Sequence, residues 1–178
     1  PPFPSQALQL AHAAGGGDSG SHRRPPLHVS IDPFQSTQWD NTGRRQLQEA
    51  GLSALSRVIE EPSYLAMPAL LREGGGGDYD LVLVDGMHLF DYTLVDIFYA
   101  DLLTRVGGVI LLDDIRHRGV APVLDYLKTN YAHWRLGEGT LCPCTLATFV
   151  KLAPDTRAWS YHTPFAGGAA TGAGGHRH

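Results

Sequence analysis

The sequence predicts an α/β fold: a mostly parallel sheet wound with helices on both faces. Three observations predict it. Strand-like apolar stretches alternate along the chain with stretches of helical periodicity, which is the pattern of a parallel sheet. Two of those stretches, inside YDLVLVD (79–85) and GVILLDD (108–114), are continuously apolar, as strands covered on both faces are. Three strands end in acids, at Asp32, at Asp85 and at the pair Asp113-Asp114. In sheets of this kind ligands bind beyond the carboxyl ends of the strands.

The elements follow in order. Residues 5–14 (SQALQLAHAA) read as a helix, because Leu8, Ala11 and His12 share a face and alanine favours that state. Gly15 to Gly20, followed by Ser21-His22-Arg23-Arg24-Pro25-Pro26, reads as a flexible connection. Residues 27–32 (LHVSID) form a short strand ending in an acid. Residues 42–51 form a polar helix with Asn41 or Thr42 as N-cap and Gly51 as stop. Residues 55–60 form the next strand, and 63–72 a short helix opened near Pro62 and interrupted by Pro68. The strand 79–85 leads to a long helix over 88–105, with Phe90, Leu94, Ile97, Phe98 and Leu102 along one apolar stripe. A strand over 108–114, a helix over 120–131 and two closing strands over 133–136 and 145–151 complete the pattern. Right-handed crossovers leave few topologies for such an order. The organisation is then a helix within 1–14, a linker over 15–26, an α/β domain over 27–152 and an extension over 153–178. The stretch 166–178 is nearly all Gly and Ala and has nothing to bury, so it reads as disordered.

Composition narrows the function. The chain has 178 residues, 43% of them hydrophobic and 18% charged, enough for one domain with a real core. A net charge of -4 argues against a nucleic-acid partner, since phosphate contacts need clustered Lys and Arg. No apolar run approaches the ~18–20 residues that span a bilayer, so no membrane partner is expected. No charged start followed by an apolar stretch marks a secretory leader. Two cysteines, Cys142 and Cys144, make neither a disulfide framework nor a zinc site and read as loop residues. Together these features predict a soluble cytoplasmic or organellar protein that is not secreted. Trp39, Trp134 and Trp159 read as packing residues rather than a stacking platform. His162, His176 and His178 make no site of their own.

The acids are the informative feature. Asp85 and Asp113-Asp114 close consecutive parallel strands, which are expected neighbours. Carboxylates about 4 Å apart repel by about 4 kcal/mol at an effective dielectric near 20. A cation, a hydrogen-bond donor or a raised pKa must offset that. Carboxylate oxygens are what Mg²⁺ or Ca²⁺ takes. Singly, each Asp could equally cap a helix or order its own loop.

The run Tyr79-Asp80-Leu-Val-Leu-Val-Asp85-Gly86-Met87-His88, a long helix, then Val106-Gly107-Gly108-Val-Ile-Leu-Leu-Asp113-Asp114-Ile115, resembles class I S-adenosylmethionine-dependent methyltransferases. The Asp-Gly-x-His motif is similar to that of the branch holding small-molecule and sugar O-methyltransferases. Val29-Ser30-Ile31-Asp32-Pro33 resembles the second strand of that family, and 145–151 its reversed last strand. The likeness covers about residues 5–151.

The resemblance implies a Rossmann-like, doubly wound, mostly parallel sheet, S-adenosyl-L-methionine as cofactor and a small-molecule acceptor with a hydroxyl group. It implies that Asp32 accepts hydrogen bonds from the cofactor ribose, with Pro33 beside it, and that Glu61, Pro62 and Ser63 lie where the family contacts adenine. Asp85 falls near the methionine end of the cofactor. Asp85, Asp113 and Asp114 match the metal ligands of the cation-dependent members, with Mg²⁺ the expected ion. His88 falls where those enzymes place a base, and an imidazole can take a hydroxyl proton near neutral pH. Arg116 and His117 read as a solvated loop.

The likeness breaks at the start. The family's first strand ends in a Gly-rich loop that lets the cofactor approach the backbone. Gly15 to Gly20 has the residue type but follows a predicted helix, so the first strand is expected to be missing and cofactor binding by this chain to be weak. The rival expectation is a methyltransferase-like scaffold that binds no cofactor.

Overall fold

The computed structural model describes residues 7–12, 27–137 and 145–166. Its strands are β1 (Ala7–His12), β2 (Leu27–Ile31), β3 (Ser56–Ile59), β4 (Tyr79–Asp85), β5 (Thr104–Leu112), β6 (Trp134–Leu136) and β7 (Ala147–Lys151). Its helices are α1 (Thr42–Glu49), α2 (Ser63–Arg72), α3 (Phe90–Leu103) and α4 (Ala121–Asn130). All seven strands join one sheet in the order β3-β2-β1-β4-β5-β7-β6.

β2 pairs parallel with β3, and β4 with β5. β7 runs antiparallel to β5, the reversed closing strand that the sequence predicts. The α/β fold with its Rossmann-like sheet is therefore as expected. The first segment is not. Within the stretch read as a helix, residues 7–12 form a strand instead: β1 lies in the middle of the sheet, antiparallel to both β2 and β4. The position expected to stand empty is filled, by a strand running opposite to a parallel first strand. Leu8-Gln9-Leu10 alternates with the period of a strand. The inner backbone edges of β2 and β4 supply the partners that settle its conformation.

Helices α2, α3 and α4 build the core. Val29 and Ile31 of β2, Val82 and Val84 of β4, Ile110 and Leu112 of β5 and Phe149 of β7 are buried with Met67, Leu70, Ile97, Leu103, Val123 and Leu127. On β4 the alternate residues differ: Leu81 is 37% exposed and Leu83 half-buried. The strand 79–85 is thus fully covered on one face only. No residue of α1 is buried, so that helix adds little to the core.

The stripe expected on α3 is also corrected. Its buried residues are Thr93, Asp96, Ile97, Ala100, Asp101 and Leu103. Phe90, Phe98 and Leu102 are exposed. A helix apolar on most sides gives no directional signal. What orients it is polar. Asp101 accepts from Trp134 Nε1 at 3.0 Å, lies 3.0 Å from His133 Nε2 and pairs with Lys151 Nζ at 2.9 Å. Lys151 also donates to the Asp101 and Thr104 carbonyls. The extension is held against the same corner: Arg157 clasps Asp155 and lies over the Tyr131 ring, and Thr163 exchanges hydrogen bonds with Asn130. Trp134 packs against the core as expected. Trp159 is fully exposed and packs nothing. The expectations for Gly15–Gly20, Cys142, Cys144, His176, His178 and most of the Gly/Ala tail lie outside the described residues. No helix among those described is long and apolar enough to cross a membrane.

Candidate active site

The sheet brings the acids to one rim. Leu8 of β1 pairs with Ile31 on one side and Val84 on the other. Asp32 and Asp85, each the next residue, therefore flank the start of β1. Val84 pairs with Leu112, and Asp113 N–H donates to the Val84 carbonyl at 3.0 Å, which sets Asp113 and Asp114 beside Asp85. The other end of β1 is far from this rim, because His12 pairs with Leu27 at the start of β2. The two strand ends that bracket Gly15–Gly20 thus lie opposite the acids.

At the β4–β5 corner, His88 Nε2 lies 3.0 Å from Asp114 Oδ2 and 3.6 Å from Asp85 Oδ1. All three ligand atoms fall within 4.8 Å of one another. The 3.0 Å approach is an ion-pair distance, yet its angle makes no hydrogen bond, so His88 Nε2 is buried without an aligned partner. Burial first, and then the Asp113 charge, push the Asp85 carboxyl up to about 6. Asp113 turns one oxygen to the Asp114 N–H at 2.7 Å and stands outside the close set. Asp114 itself has a left-handed backbone, φ 51°. The His117 ring lies 5.1 Å from that of His88. Glycine at 119 is required here, since a Cβ would sit 2.2 Å from the His88 carbonyl oxygen.

Next to this corner opens a cavity of about 230 Å³, lined by Ile31, Pro33, Phe34, Pro62, Ser63, Tyr64, Gly86, Met87, Tyr92 and Asp96. Pro33 and Ser63, two of the residues expected beside the cofactor, are among the lining. Glu61 is exposed and outside the lining; its neighbour Glu60 instead accepts from Ser36 and Arg44. Asp32 is 2% exposed. Its Oδ1 accepts from the Phe34 N–H at 2.9 Å and its Oδ2 from Gln35 Nε2 at 2.6 Å.

Sequence reasoning missed Asp96. It is buried under Gly86, where a Cβ would meet its carboxylate at 2.6 Å. Its spacing from Thr93, Ile97 and Ala100 was the available signal. Burial pushes its carboxyl up to about 6, partly offset by the Ser63 hydroxyl. An unfolded Asp titrates near 4. Between about 4 and 6 the folded state keeps a proton that the unfolded state has lost, so stability falls as pH rises through that window. Asp96→Asn is expected to flatten that part of the curve in denaturant unfolding between pH 4 and 8. An unchanged slope would contradict this account.

A sheet in this order, with acids converging on its carboxyl rim beside a half-enclosed cavity, is that of a Rossmann-like α/β domain. Residues 7–115 match the family described as a methyltransferase domain, more than half of the chain. The protein belongs to that family, whose members generally use S-adenosylmethionine. No curated protein matches the chain.

Proposed function

We propose that the protein transfers a methyl group from S-adenosyl-L-methionine to a hydroxyl of a small molecule. The observation that supports this reading is the convergence of Asp32, Asp85 and Asp114 on one sheet rim, with the cavity lined by their chain neighbours Ile31, Pro33 and Gly86. Asp32 would accept from the ribose hydroxyls, since a carboxylate offers only acceptors to two donors. Pro33, Pro62 and Ser63 would flank the adenine, with Glu61 at its outer edge.

Asp85 and Asp114, with Asp113 beside them, would hold a divalent cation such as Mg²⁺. The residues fit one: carboxylates are crowded against a raised pKa and a buried imidazole nitrogen without an aligned partner. When bound, a cation supplies positive charge that lowers the pKa of an acceptor hydroxyl. His88 would act as the general base for the hydroxyl proton. The oxygen lone pair forms the new C–O bond as the C–S bond breaks, and its electron pair returns to sulfur, converting sulfonium to thioether. The remaining work is alignment of donor and acceptor.

One observation favours the rival scaffold reading. β1 runs antiparallel to β2 and β4, so it does not bring its carboxyl end to the acidic rim as a parallel first strand would. Each good hydrogen bond is worth about 0.5–1.5 kcal/mol, so losing a few weakens binding by orders of magnitude. Calorimetric titration of the full chain with S-adenosylhomocysteine is therefore expected to give a dissociation constant weaker than micromolar. Labelled methyl transfer to a panel of hydroxylated acceptors, with and without Mg²⁺, tests the activity. No incorporation under any condition leaves the scaffold reading standing.

A further inference from the structure

We propose that Gln35 is a positioning residue that holds Asp32 closed and must swing aside when the vicinal diol of a ribose binds. The inference rests on the reading of Asp32 as the ribose acceptor. In the structure each oxygen of Asp32 already accepts a hydrogen bond. Oδ1 accepts from the Phe34 N–H, and the Gln35 amide nitrogen sits 2.6 Å from Oδ2. With Asp32 only 2% exposed, a diol has no face of the carboxylate to reach without displacing that amide. The backbone contact from Phe34 belongs to the turn itself. The Gln35 contact comes from a side chain and can be exchanged.

The closed arrangement carries its own release. The other end of the amide, Gln35 Oε1, is buried and accepts from nothing. It is directed at Gly43, where a Cβ would stand only 2.9 Å from it. A buried acceptor without a donor weighs against the closed state. Swinging out hydrates that oxygen and frees Oδ2 together. The charge-assisted bond lost from the amide is replaced by one from a ribose hydroxyl. The rest of the loop need not move: Ser36 donates from both its N–H and its hydroxyl to Glu60, which Arg44 also holds. The displaceable group is one side chain on an anchored loop. A ligand without the diol does not displace it, so the latch weighs only against ligands that carry the ribose diol.

The test is calorimetric titration of the full 178-residue chain with S-adenosylhomocysteine and with its 2′,3′-dideoxy analogue. Gln35→Met keeps the length and removes the donor. It is expected to tighten S-adenosylhomocysteine binding about tenfold and to leave the dideoxy analogue unchanged. Gln35→Asn, which is one methylene too short to reach, carries the same expectation should the Met variant fail to fold. Unchanged or weaker binding of S-adenosylhomocysteine overturns the proposal, as does equal tightening of both ligands. Asp32→Asn separates the two layers. If it abolishes discrimination between the ligands while Gln35→Met tightens neither, only the latch is wrong. If Asp32→Asn leaves discrimination intact, the ribose role of Asp32 fails and the latch with it.

Discussion

Asp85→Asn is expected to lower methyl transfer by at least about a hundredfold while making the metal-free protein more stable at neutral pH. The two effects have one cause. Burial and the neighbouring Asp113 raise the Asp85 carboxyl to about 6, above the range it has in the unfolded chain. At pH 7 the ionised group therefore weighs against the fold, and the cost fades as pH falls through about 6 towards 4. An uncharged amide of the same shape removes it. The same substitution removes one of two carboxylates that would hold a cation and shield His88, and losses of positioned acid–base groups are of order 10²–10⁴. Melting curves with and without Mg²⁺ check both halves. The wild type should gain stability with the ion, whereas Asp85→Asn should start higher and gain nothing. A variant that melts lower without metal, or that still responds to Mg²⁺, contradicts the account.

Asp101→Ala is expected to cost about 3–5 kcal/mol, the range for breaking a buried ion pair by removing one partner. Asp101 is 4% exposed, and its loss strips a partner at once from Lys151, His133 and Trp134. Lys151 is itself buried, so its charge is left with the Asp101 and Thr104 carbonyls and the face of the Trp134 ring, and no carboxylate. Asp155→Ala should cost far less, because Asp155 is exposed and its main partner, Arg157, can be solvated. Equilibrium denaturation of both variants checks the contrast. Equal losses would show that the corner gains nothing from its buried member.

These two residues also show what could be read from the sequence. Asp85 stands at the end of an unbroken apolar run, so its strand, its rim and its acidic neighbours follow from local pattern; β4 matches the expected bounds to the residue. Asp101 does not. It lies on α3 amid apolar residues spaced on most sides, and its partners come from 32 to 50 residues later in the chain. Nothing local distinguishes it from a solvated aspartate. A weak signal existed at the other end: Ala147, Phe149 and Lys151 alternate inward along β7, which puts a lysine on a buried face. The misreading of residues 5–14 has a related origin. Alanine content favours a helix, while Leu8-Gln9-Leu10 alternates, and pairing with β2 and β4 decides between them. The engagement of Asp32 by Gln35 depends on a loop conformation, with left-handed backbone at Asp40 and Asn41, that no periodicity encodes.

The most direct test of the central claim, that separate acids share one ligand-binding rim, is amide-resolved NMR of the labelled full chain during addition of S-adenosylhomocysteine and Mg²⁺. The account predicts coordinated shifts around Asp32–Phe34 and Pro62–Tyr64 with the nucleoside, and around Asp85–His88 and Asp113–Ile115 with the ion. Saturation should come weaker than micromolar for the nucleoside. Shifts confined to surfaces away from this rim, or none at millimolar ligand, would contradict it.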